Sequence, residues 1–470
     1  MLFSSLIFLT CFLPAVIFIY YTVCRVSRTL QNIFLLIVSL GFYAWGEPRF
    51  VFILMGSILA NWGFGLAIDK VRKNRKQVRL VTAAMLVFNL SIIFVFKYLM
   101  FTLKNIKAVT GFGFAVPKIA LPIGISFFTF QAISYVIDIY REKGKAQKNP
   151  LNVGLYIAFF PQLIAGPIVR YETVAEQIKN RRETLNGFTM GVNRFLIGFA
   201  KKVLLANNFA LVADKAFKLM QHDQLSTGMA WLGIICYTLQ IYYDFSGYSD
   251  MAIGLGRMFG FKFNENFNYP YISKSTTEFW RRWHISLGTW FRDYVYIPLG
   301  GNRLGKRRMY INTFIVWLLT GLWHGANWTF ICWGLMYFVT ITAEKYTGLD
   351  RATKLRRIRH VYTMFLVMMG WVLFRADNIG DAFSYYKVLF GQGSFGHTDA
   401  NFYVVGQEYI AFLILGILFM RPFAKKLYKT KLAKFRFSGA AYTLGLMVLF
   451  LAGIAYLVKG AYNPFIYFNF

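Results

Sequence analysis

Two histidines lie in segments whose residue types suit proton transfer. His284 ends the sequence EFWRRWH at 278–284, and His324 lies in TGLWHGANW at 320–328, within one of the most apolar stretches of the chain. An ionisable side chain at membrane depth is costly, and imidazole is the side chain that exchanges protons near neutrality. Both are therefore candidate catalytic residues. The alternative for each is a structural histidine of the apolar core whose ring nitrogens have hydrogen-bond partners. The presence of a second histidine in a similar segment makes this alternative less favourable for both.

The residues before His284 predict a helix that begins near Ser275, because Ser275 and Glu278 have the spacing of a capping box. On a continuous helix, four residues at helical spacing share one apolar face: Trp280, His284, Leu287 and Phe291. Arg281 and Arg282 lie off that face. An amphipathic helix at the membrane interface also fits this pattern, but it does not account for a histidine on the apolar face.

Two carboxylates follow a long apolar stretch. Residues 242–250 read YYDFSGYSD, and their small residues predict a break after a helix over 226–243. Asp244 and Asp250 either orient a histidine or a bound substrate, or they cap the next helix. Both interpretations stay open for Asp250, and the functional one is favoured for Asp244.

Several familiar catalytic motifs are missing from the sequence. It contains no Gly-x-Ser-x-Gly elbow, no His-Glu-x-x-His pair and no Walker loop. The four cysteines have no metal-like spacing, so neither a disulfide framework nor a metal site is predicted. His222, His360 and His397 occur in polar or basic loops and are expected at the surface. A phosphate-bearing ligand would therefore be bound by arginine and lysine side chains near a membrane face.

Composition predicts an all-α polytopic membrane protein. The chain has 470 residues, of which 57% are hydrophobic, and apolar runs recur along its whole length. Their lengths predict roughly eleven to thirteen transmembrane or re-entrant helices. The net charge of +32 comes from lysines and arginines clustered between the runs. That pattern is typical of cytoplasmic loops, and no nucleic-acid-binding motif accompanies the charge, which excludes nucleic acid as a partner.

The basic loops also predict the orientation of the chain. Six of them are assigned to the cytoplasmic side: 25–28, 70–79, 141–148, 303–308, 351–359 and 421–436. Both termini are then expected outside the cytoplasm. The first apolar run follows no basic segment and no cleavage site follows it, so it is expected to be a span. The stretch 377–406 is predicted as a polar external loop.

Two segments are predicted to enter the membrane irregularly. Two prolines and a glycine interrupt the apolar run 151–169, which is either a broken, re-entrant segment or a proline kink. The run 310–343 lies between two basic loops that are both assigned to the cytoplasmic side, so it must enter the membrane and return to that side. Its first arm, 310–323, spans about 21 Å of helix, short of the ~30 Å hydrocarbon core. This places His324 at the tip of a helical hairpin, at or beyond mid-membrane.

Four segments together resemble the membrane-bound O-acyltransferase (MBOAT) superfamily: 160–170, 242–250, 279–287 and 321–328. The chain is most similar to the bacterial, AlgI-like branch, named for alginate O-acetylation, and its ending 463–470 resembles that branch too. The resemblance implies a multi-helix fold around a central acyl-transfer tunnel. It also implies transfer from a cytoplasmic thioester, here acetyl-CoA, to an acceptor reached from outside, with no permanently bound cofactor and no metal.

In the family pattern, His324 occupies the near-invariant histidine position and His284 the second polar position. Seven further residues of these motifs are candidates for binding substrate or acyl donor: Arg281, Arg282, Trp283, Tyr243, Asp244, Trp323 and Asn327. One integral-membrane domain is expected over 1–470. It comprises peripheral helices over about 1–110, a catalytic core over about 118–343 and C-terminal helices over about 360–470.

The expected function is O-acetylation of an extracytoplasmic or cell-wall polysaccharide by a multi-pass protein of the bacterial inner membrane. The branch commonly has an SGNH-type, esterase-like partner outside the cytoplasm. D-alanyl transfer to teichoic acid and acylation of lipid or protein are alternatives within the family. A proton-coupled transporter, with the two histidines as a relay, is an alternative of another class. Because no activated serine or cysteine is visible, direct transfer in a ternary complex is favoured over a covalent acyl-enzyme.

Overall fold

The computed structural model describes residues 1–423, 427, 438–460, 462–464 and 466. Within these residues the secondary structure is helical and no strand occurs, which confirms the all-α prediction. Most of the basic loop predicted over 421–436, and residues 465 and 467–470 of the family-like ending, lie outside the described residues.

The first part of the chain forms helices up to the long segment before His284. They are α1 (Leu13–Tyr21), α2 (Arg28–Gly46), α3 (Val51–Lys70), α4 (Arg75–Ile93), α5 (Leu99–Thr110), α6 (Ile125–Tyr140), α7 (Pro150–Ala158), α8 (Phe160–Leu163), α9 (Tyr171–Asn180), α10 (Leu185–Ala200), α11 (Asn207–Gln221) and α12 (Thr227–Met258).

The helices of the second part carry both histidine motifs. They are α13 (Thr276–Arg282), α14 (Ile285–Phe291), α15 (Gly305–His324), α16 (Trp328–Thr347), α17 (Arg356–Arg375), α18 (Ile379–Leu389), α19 (Ala400–Phe419) and α20 (Ser438–Lys459).

Two compact units make up the chain. The first consists of Met1–Phe195 and Tyr248–Asn264, and the second of Leu196–Gly247 and Glu265–Phe470. Both histidines and the seven candidate binding residues belong to the second unit, whereas Asp250 belongs to the first. The predicted division into peripheral helices, catalytic core and C-terminal helices stays a prediction.

Seven helical segments of the described chain are long and apolar enough to cross a membrane: Phe8–Val26, Arg28–Gly46, Val51–Lys70, Arg75–Thr110, Leu185–Gln221, Ala400–Phe419 and Ser438–Lys459. The last of them is only 11% buried and exposes Leu444, Met447 and Leu451. Apolar surface of this extent suits contact with lipid. The protein is thus a multi-pass membrane protein, and the number of shorter helices that also span stays a prediction.

The apolar run 151–169 is broken, as one of its two interpretations predicted. Helix α7 ends at Ala158, and the short α8 follows after Phe159, whose ψ of 114° is not helical. The backbone N–H of Phe160 donates to Ser39 Oγ at 3.0 Å, so a group freed by the break is satisfied inside the protein. Irregular backbone at membrane depth requires such partners.

The predicted break over 242–250 is wrong, because α12 runs through it without interruption. A Cβ on Gly247 would lie 2.8 Å from the carbonyl oxygen of Gly198. The small residues therefore allow two helices to approach closely and do not end a helix.

The predicted external loop 377–406 is also wrong in part, because it contains α18 and the first residues of α19. Asn378 caps this helix by accepting a hydrogen bond from Asp381 N at 2.9 Å. Ala382, Tyr385 and Leu389 are buried at helical spacing. A prediction based on long apolar runs does not detect α18, because this helix has only eleven residues and only one of its faces is apolar.

Candidate active site

His324 lies at the tip of a helical hairpin, as predicted. Helix α15 ends at His324 and α16 begins at Trp328. Helix α15 has 20 residues and is about 30 Å long. It begins at Gly305 with a charged turn, which a prediction from hydropathy leaves out of the membrane segment. The predicted arm of fourteen residues was therefore too short, and the first arm of the hairpin is long enough to match a hydrocarbon core.

Small residues hold the two arms of this hairpin together. A Cβ on Gly321 would lie 2.5 Å from the carbonyl oxygen of Phe330, and one on Gly334 would lie 2.5 Å from that of Trp317. Side chains at these positions would force the helices apart, so the glycines set the spacing that places His324.

Aromatic rings surround the His324 imidazole, which is 5% exposed. Its ring centroid lies 4.8 Å from that of Trp323, 5.0 Å from that of Trp333 and 4.9 Å from that of Phe374. A polar ring in such an apolar setting is shielded from bulk water, which strengthens its electrostatic interactions with any group that reaches it.

The helix predicted to carry His284 is interrupted at His284 itself. Helix α13 ends at Arg282, His284 adopts the left-handed conformation with φ of 45° and ψ of 53°, and α14 begins at Ile285. The single apolar face predicted over 280–291 is therefore wrong. The predicted start is confirmed, since Ser275 Oγ accepts from Glu278 N at 3.0 Å.

A distant segment of the chain explains this interruption. The N–H of Asn268 donates to the carbonyl of Arg282 at 2.9 Å, and the N–H of Ile285 donates to the carbonyl of Asn266 at 3.0 Å. These backbone groups have partners outside the helix, which offsets the unfavourable conformation of His284.

Asn266 also fixes the state of the His284 ring. Its Oδ1 lies 3.2 Å from Ser286 N, 2.9 Å from Ser286 Oγ and 3.1 Å from His284 Nδ1. A backbone N–H only donates, so the Asn266 atom that faces it must be the oxygen. His284 Nδ1 then donates to the same oxygen. In the neutral ring this leaves the lone pair on Nε2, which is able to accept a hydrogen bond or a proton.

Trp323 connects the two histidines. Its ring centroid lies 5.8 Å from that of His284 and 4.8 Å from that of His324. On its other side, His284 meets Phe245 edge-on at 4.7 Å. The structure thus brings both imidazoles against one indole, although forty residues separate them in sequence.

The aromatic cluster extends from His324 to Trp280 and Tyr337. Trp280 lies 5.3 Å from Trp333 and 4.8 Å from Tyr337 between ring centroids. Among the described residues, the Nε1 atoms of both tryptophans and the hydroxyl of Tyr337 are buried without a hydrogen-bond partner. Three buried donors of this kind suit a ligand that supplies acceptors.

Arg281, Arg282 and Trp283 lie on or just after α13, with different surroundings. Arg281 is exposed. Arg282 pairs with Glu278 at 3.0 Å and donates to the carbonyl of Asn268 at 3.1 Å. Trp283 is buried in the aromatic cluster, 5.0 Å from Trp371 between ring centroids.

Tyr243 and Asn327 have partners that support the fold. The Tyr243 hydroxyl donates to the carbonyl of Gly416 at 2.6 Å. Asn327 caps α16 by accepting from Thr329 N at 3.2 Å, and its Nδ2 donates to the carbonyl of Asp377 at 2.7 Å. Their predicted binding roles stay predictions.

Asp244 forms a buried ion pair with Lys202. Asp244 Oδ1 lies 2.9 Å from Lys202 Nζ, with side-chain exposures of 1% and 2%. Lys202 also donates to the carbonyl of Pro464, and Ile466 N donates to Asp244 Oδ2 at 3.1 Å. The pair therefore binds a segment near the end of the chain. Asp250 lies in the other unit, where it pairs with Arg194 at 2.8 Å.

Sequence reasoning missed three polar residues that shape this region: Lys202, Asn266 and Glu344. Glu344 accepts from the N–H groups of Thr276 at 2.7 Å and Thr277 at 3.1 Å, so it caps α13. Lys202 and Glu344 could have been found from the sequence, because a charged residue inside an apolar stretch indicates a specific role. Asn266 lies in a polar loop, where an asparagine does not stand out.

The three remaining histidines lie away from the His284–His324 cluster. His222 and His397 are exposed, as predicted. His360 is half-buried, with Nδ1 at 2.9 Å from the carbonyl oxygen of Ser273, so the surface prediction holds only in part for it.

Comparison with known proteins identifies the family. The model of the MBOAT, membrane-bound O-acyltransferase family, matches residues 145–380. The probable alginate O-acetylase AlgI of Pseudomonas putida is 41% identical over 491 residues, covering 100% of both chains. The peptidoglycan O-acetyltransferase of Helicobacter pylori is 35% identical, covering 83% of this chain and 80% of its own. The teichoic acid D-alanyltransferase of Bacillus subtilis is 29% identical, covering 54% and 68%.

Full-length similarity at this level, together with the family match, settles the assignment. The chain is an acyltransferase that belongs to the membrane-bound O-acyltransferase family, in its AlgI-like branch.

Proposed function

We propose that this protein transfers an acetyl group from cytoplasmic acetyl-CoA toward a hydroxyl group of an extracytoplasmic polysaccharide. The observation that carries the proposal is the pair of buried imidazoles of His284 and His324 against Trp323. Relatives named as O-acetylating enzymes cover more of the chain than the D-alanyltransferase does, which favours acetyl transfer.

His324 acts as the general base in this proposal. The acceptor oxygen attacks the thioester carbonyl carbon and forms the ester bond, while the carbon–sulfur bond breaks and the thiol leaves. His324 takes the hydroxyl proton and returns it to the departing sulfur. Rings of Trp323, Trp333 and Phe374 shield it, so water competes poorly with the acceptor.

His284 positions the acceptor hydroxyl. Because Asn266 accepts from Nδ1, the Nε2 atom of His284 is the acceptor that faces away from this anchor. A neighbouring hydroxyl group of the acceptor donates to Nε2 and orients the acceptor for transfer in a ternary complex, so the attacking hydroxyl keeps its proton for His324. No covalent intermediate on the protein is needed for this route.

The donor reaches the site from the cytoplasmic side. The exposed Arg281 suits the phosphates of coenzyme A. The buried donors of Trp280, Trp333 and Tyr337 suit the amide carbonyls of its pantetheine arm. In this orientation, both termini lie outside the cytoplasm of a bacterial inner membrane.

An SGNH-type partner outside the membrane completes transfer to the polysaccharide in this proposal. Within the family, D-alanyl transfer to teichoic acid from a carrier-protein thioester is the second candidate. It is supported by the similarity to the Bacillus subtilis enzyme over 54% of the chain.

Thiol release from purified protein, supplied with the proposed SGNH-type partner and a polysaccharide acceptor because direct transfer needs an acceptor, tests the proposed donor. We expect release of free coenzyme A from acetyl-CoA, with slower release from longer acyl-CoA donors. A D-alanyl carrier-protein thioester should give no release. Preference for that thioester would support D-alanyl transfer, and proton-coupled flux without thioester consumption would contradict both transferase proposals.

A further inference from the structure

The chain between α16 and α17 carries a concentrated positive charge. Residues 351–359 contain four arginines and one lysine but no acidic residue, and all five side chains except that of Arg359 are exposed. The carboxylate just before them, Asp350, lies 4.0 Å from Arg351. No later arginine of the segment forms an ion pair with a described residue. The segment therefore keeps a net positive charge that attracts anions.

Arg359 differs from the other basic residues of this segment because it is buried. The residue is 7% exposed, and its guanidinium donates through Nη1 to the carbonyl of Ala352. Its Nε atom is buried without a hydrogen-bond partner in the part of the chain that the structure describes. A buried cation without an anionic partner is costly, and so is a buried donor without an acceptor. Arg359 is therefore suited to an anion that accepts from its guanidinium.

The first turn of α17 adds backbone donors on the same side of Arg359. The helix begins at Arg356, and Leu355 before it provides no side-chain cap. The first N–H groups of a helix have no partner within the helix, and its positive dipole end favours an anion. Because Arg359 donates to Ala352, four residues before the helix begins, its guanidinium lies toward this end. Backbone and side-chain donors therefore occur together at the start of α17.

Apolar side chains continue from this end along one face of α17. Ile358, Val361 and Phe365 are exposed and lie at helical spacing, and we call these three residues the lipid-facing stripe. Hydrocarbon chains would lie along this stripe while a phosphate at their head reached the arginines. A soluble anion would leave the stripe uncovered. The combination of basic groups and an apolar stripe therefore favours a lipid as the occupant.

We propose that the first turn of α17 binds the phosphate of an anionic phospholipid from the surrounding membrane. The phosphate oxygens accept from Arg359 and from the uncapped backbone N–H groups, and the exposed Arg356 and Arg357 attract the charge. The acyl chains lie along the lipid-facing stripe. This binding site is separate from the acyl-transfer reaction and does not rest on it.

Thermal unfolding of the purified full chain in detergent, with and without dioleoyl phosphatidylglycerol, tests the role of Arg359. The lipid should raise the unfolding temperature of the wild type, because a ligand that binds the folded state stabilises it. Without lipid, Arg359→Met should unfold at the wild-type temperature or above it, since a buried unpaired charge is removed. It should gain little from the lipid. A variant that is less stable than the wild type, yet gains as much from the lipid, would contradict the proposal.

Native mass spectrometry of the same protein measures the affinity for this lipid. Arg356→Gln combined with Arg357→Gln should weaken the tightest binding about fivefold, through loss of two exposed charges. Arg75→Gln combined with Lys76→Gln is the matched control, because it removes the same charge from the exposed start of α4. There Asn74 already caps the helix by accepting from Lys76 N at 3.1 Å. The control should keep the wild-type affinity.

Three results would overturn this site. Equal losses in the two double variants would mean that basic loops attract anionic lipid without a specific site. Equal affinity for dioleoyl phosphatidylcholine, which has the phosphate but no net charge, would remove the role of the arginines. If the change at Arg356 and Arg357 weakened binding of coenzyme A and left binding of phosphatidylglycerol unchanged, the occupant would be a soluble phosphate compound and not a lipid.

Discussion

At the scale of single residues, the oxygen of Asn266 determines what His284 is able to do. It accepts from Ser286 and from His284 Nδ1, so the ring is oriented with Nε2 as its acceptor. The left-handed backbone of His284 adds a second constraint. Strain of this kind persists where the surroundings over-determine a conformation, and it is common at functional sites.

Replacement of His284 by alanine should lower the rate of thiol release from acetyl-CoA on the order of 100-fold, because the acceptor is no longer held in its reactive orientation. His284→Asn should recover part of the rate, since an amide oxygen accepts a hydrogen bond without titrating. Initial rates at equal protein level measure both. If His284→Ala matched the wild type, His284 would be an ordinary core histidine.

Asn266 provides the control for this interpretation. Asn266→Ala should slow the reaction in the wild-type background but have little further effect when His284 is already alanine. Such non-additivity is expected for residues that act through one contact. Additive effects would mean that Asn266 supports the fold independently of His284.

The Lys202–Asp244 pair has a structural explanation that competes with the predicted ligand role of Asp244. Both side chains are buried, so Asp244→Asn should lower the free energy of unfolding by about 3–5 kcal/mol. The double variant Lys202→Met with Asp244→Leu should restore much of the lost free energy of unfolding. Thermal unfolding in detergent measures the stability of both variants. A higher KM with unchanged stability would instead support the ligand role.

At the scale of helices, the α15–α16 hairpin determines where His324 lies. Gly321→Ala places a Cβ 2.5 Å from the carbonyl oxygen of Phe330, so we expect a loss of about 1–3 kcal/mol in stability and a slower reaction. Gly56→Ala in α3 is the control, because nothing lies within 4 Å of its added Cβ. Equal thermal stability of the two variants would argue against close packing of the arms.

The sequence predicted helices correctly where local pattern determines their ends. It did not predict them where contacts with other segments of the chain determine their ends. The α15–α16 hairpin and the Ser275 cap follow from hydropathy and capping rules. The break at His284 depends on Asn266 and Asn268, which no local pattern reveals. The small residues at 242–250 were mistaken for a break because glycine serves both turns and close helix packing.

At the scale of the whole molecule, the basic loops and the surface arginines bear on the direction of transfer. If Arg281 faces the cytoplasm and binds donor phosphate, Arg281→Ala should raise the KM for acetyl-CoA several-fold, on the order of one lost charge-assisted hydrogen bond, with little change in kcat. Arg351→Ala, in an exposed basic loop, is the control. Arg282 is a poorer test because it pairs with Glu278.

Normal expression with an unchanged KM in Arg281→Ala would contradict a role in donor binding. Reduced expression with an unchanged KM would indicate that Arg281 anchors its helix at the lipid headgroups. The arginines were predicted from the motif, but the sequence did not distinguish the exposed Arg281 from the paired Arg282. That difference depends on the contact of Arg282 with the distant Asn268.

The rate of thiol release from acetyl-CoA by His324→Ala, at matched protein level, tests whether His324 is the general base. His397→Ala is the control, because His397 is exposed in a distant loop. Loss of the general base should lower the rate on the order of 100-fold, while the control keeps the wild-type rate. A His324→Ala protein that keeps more than about a tenth of the wild-type rate would contradict the account, since general-base catalysis contributes at least about 100-fold.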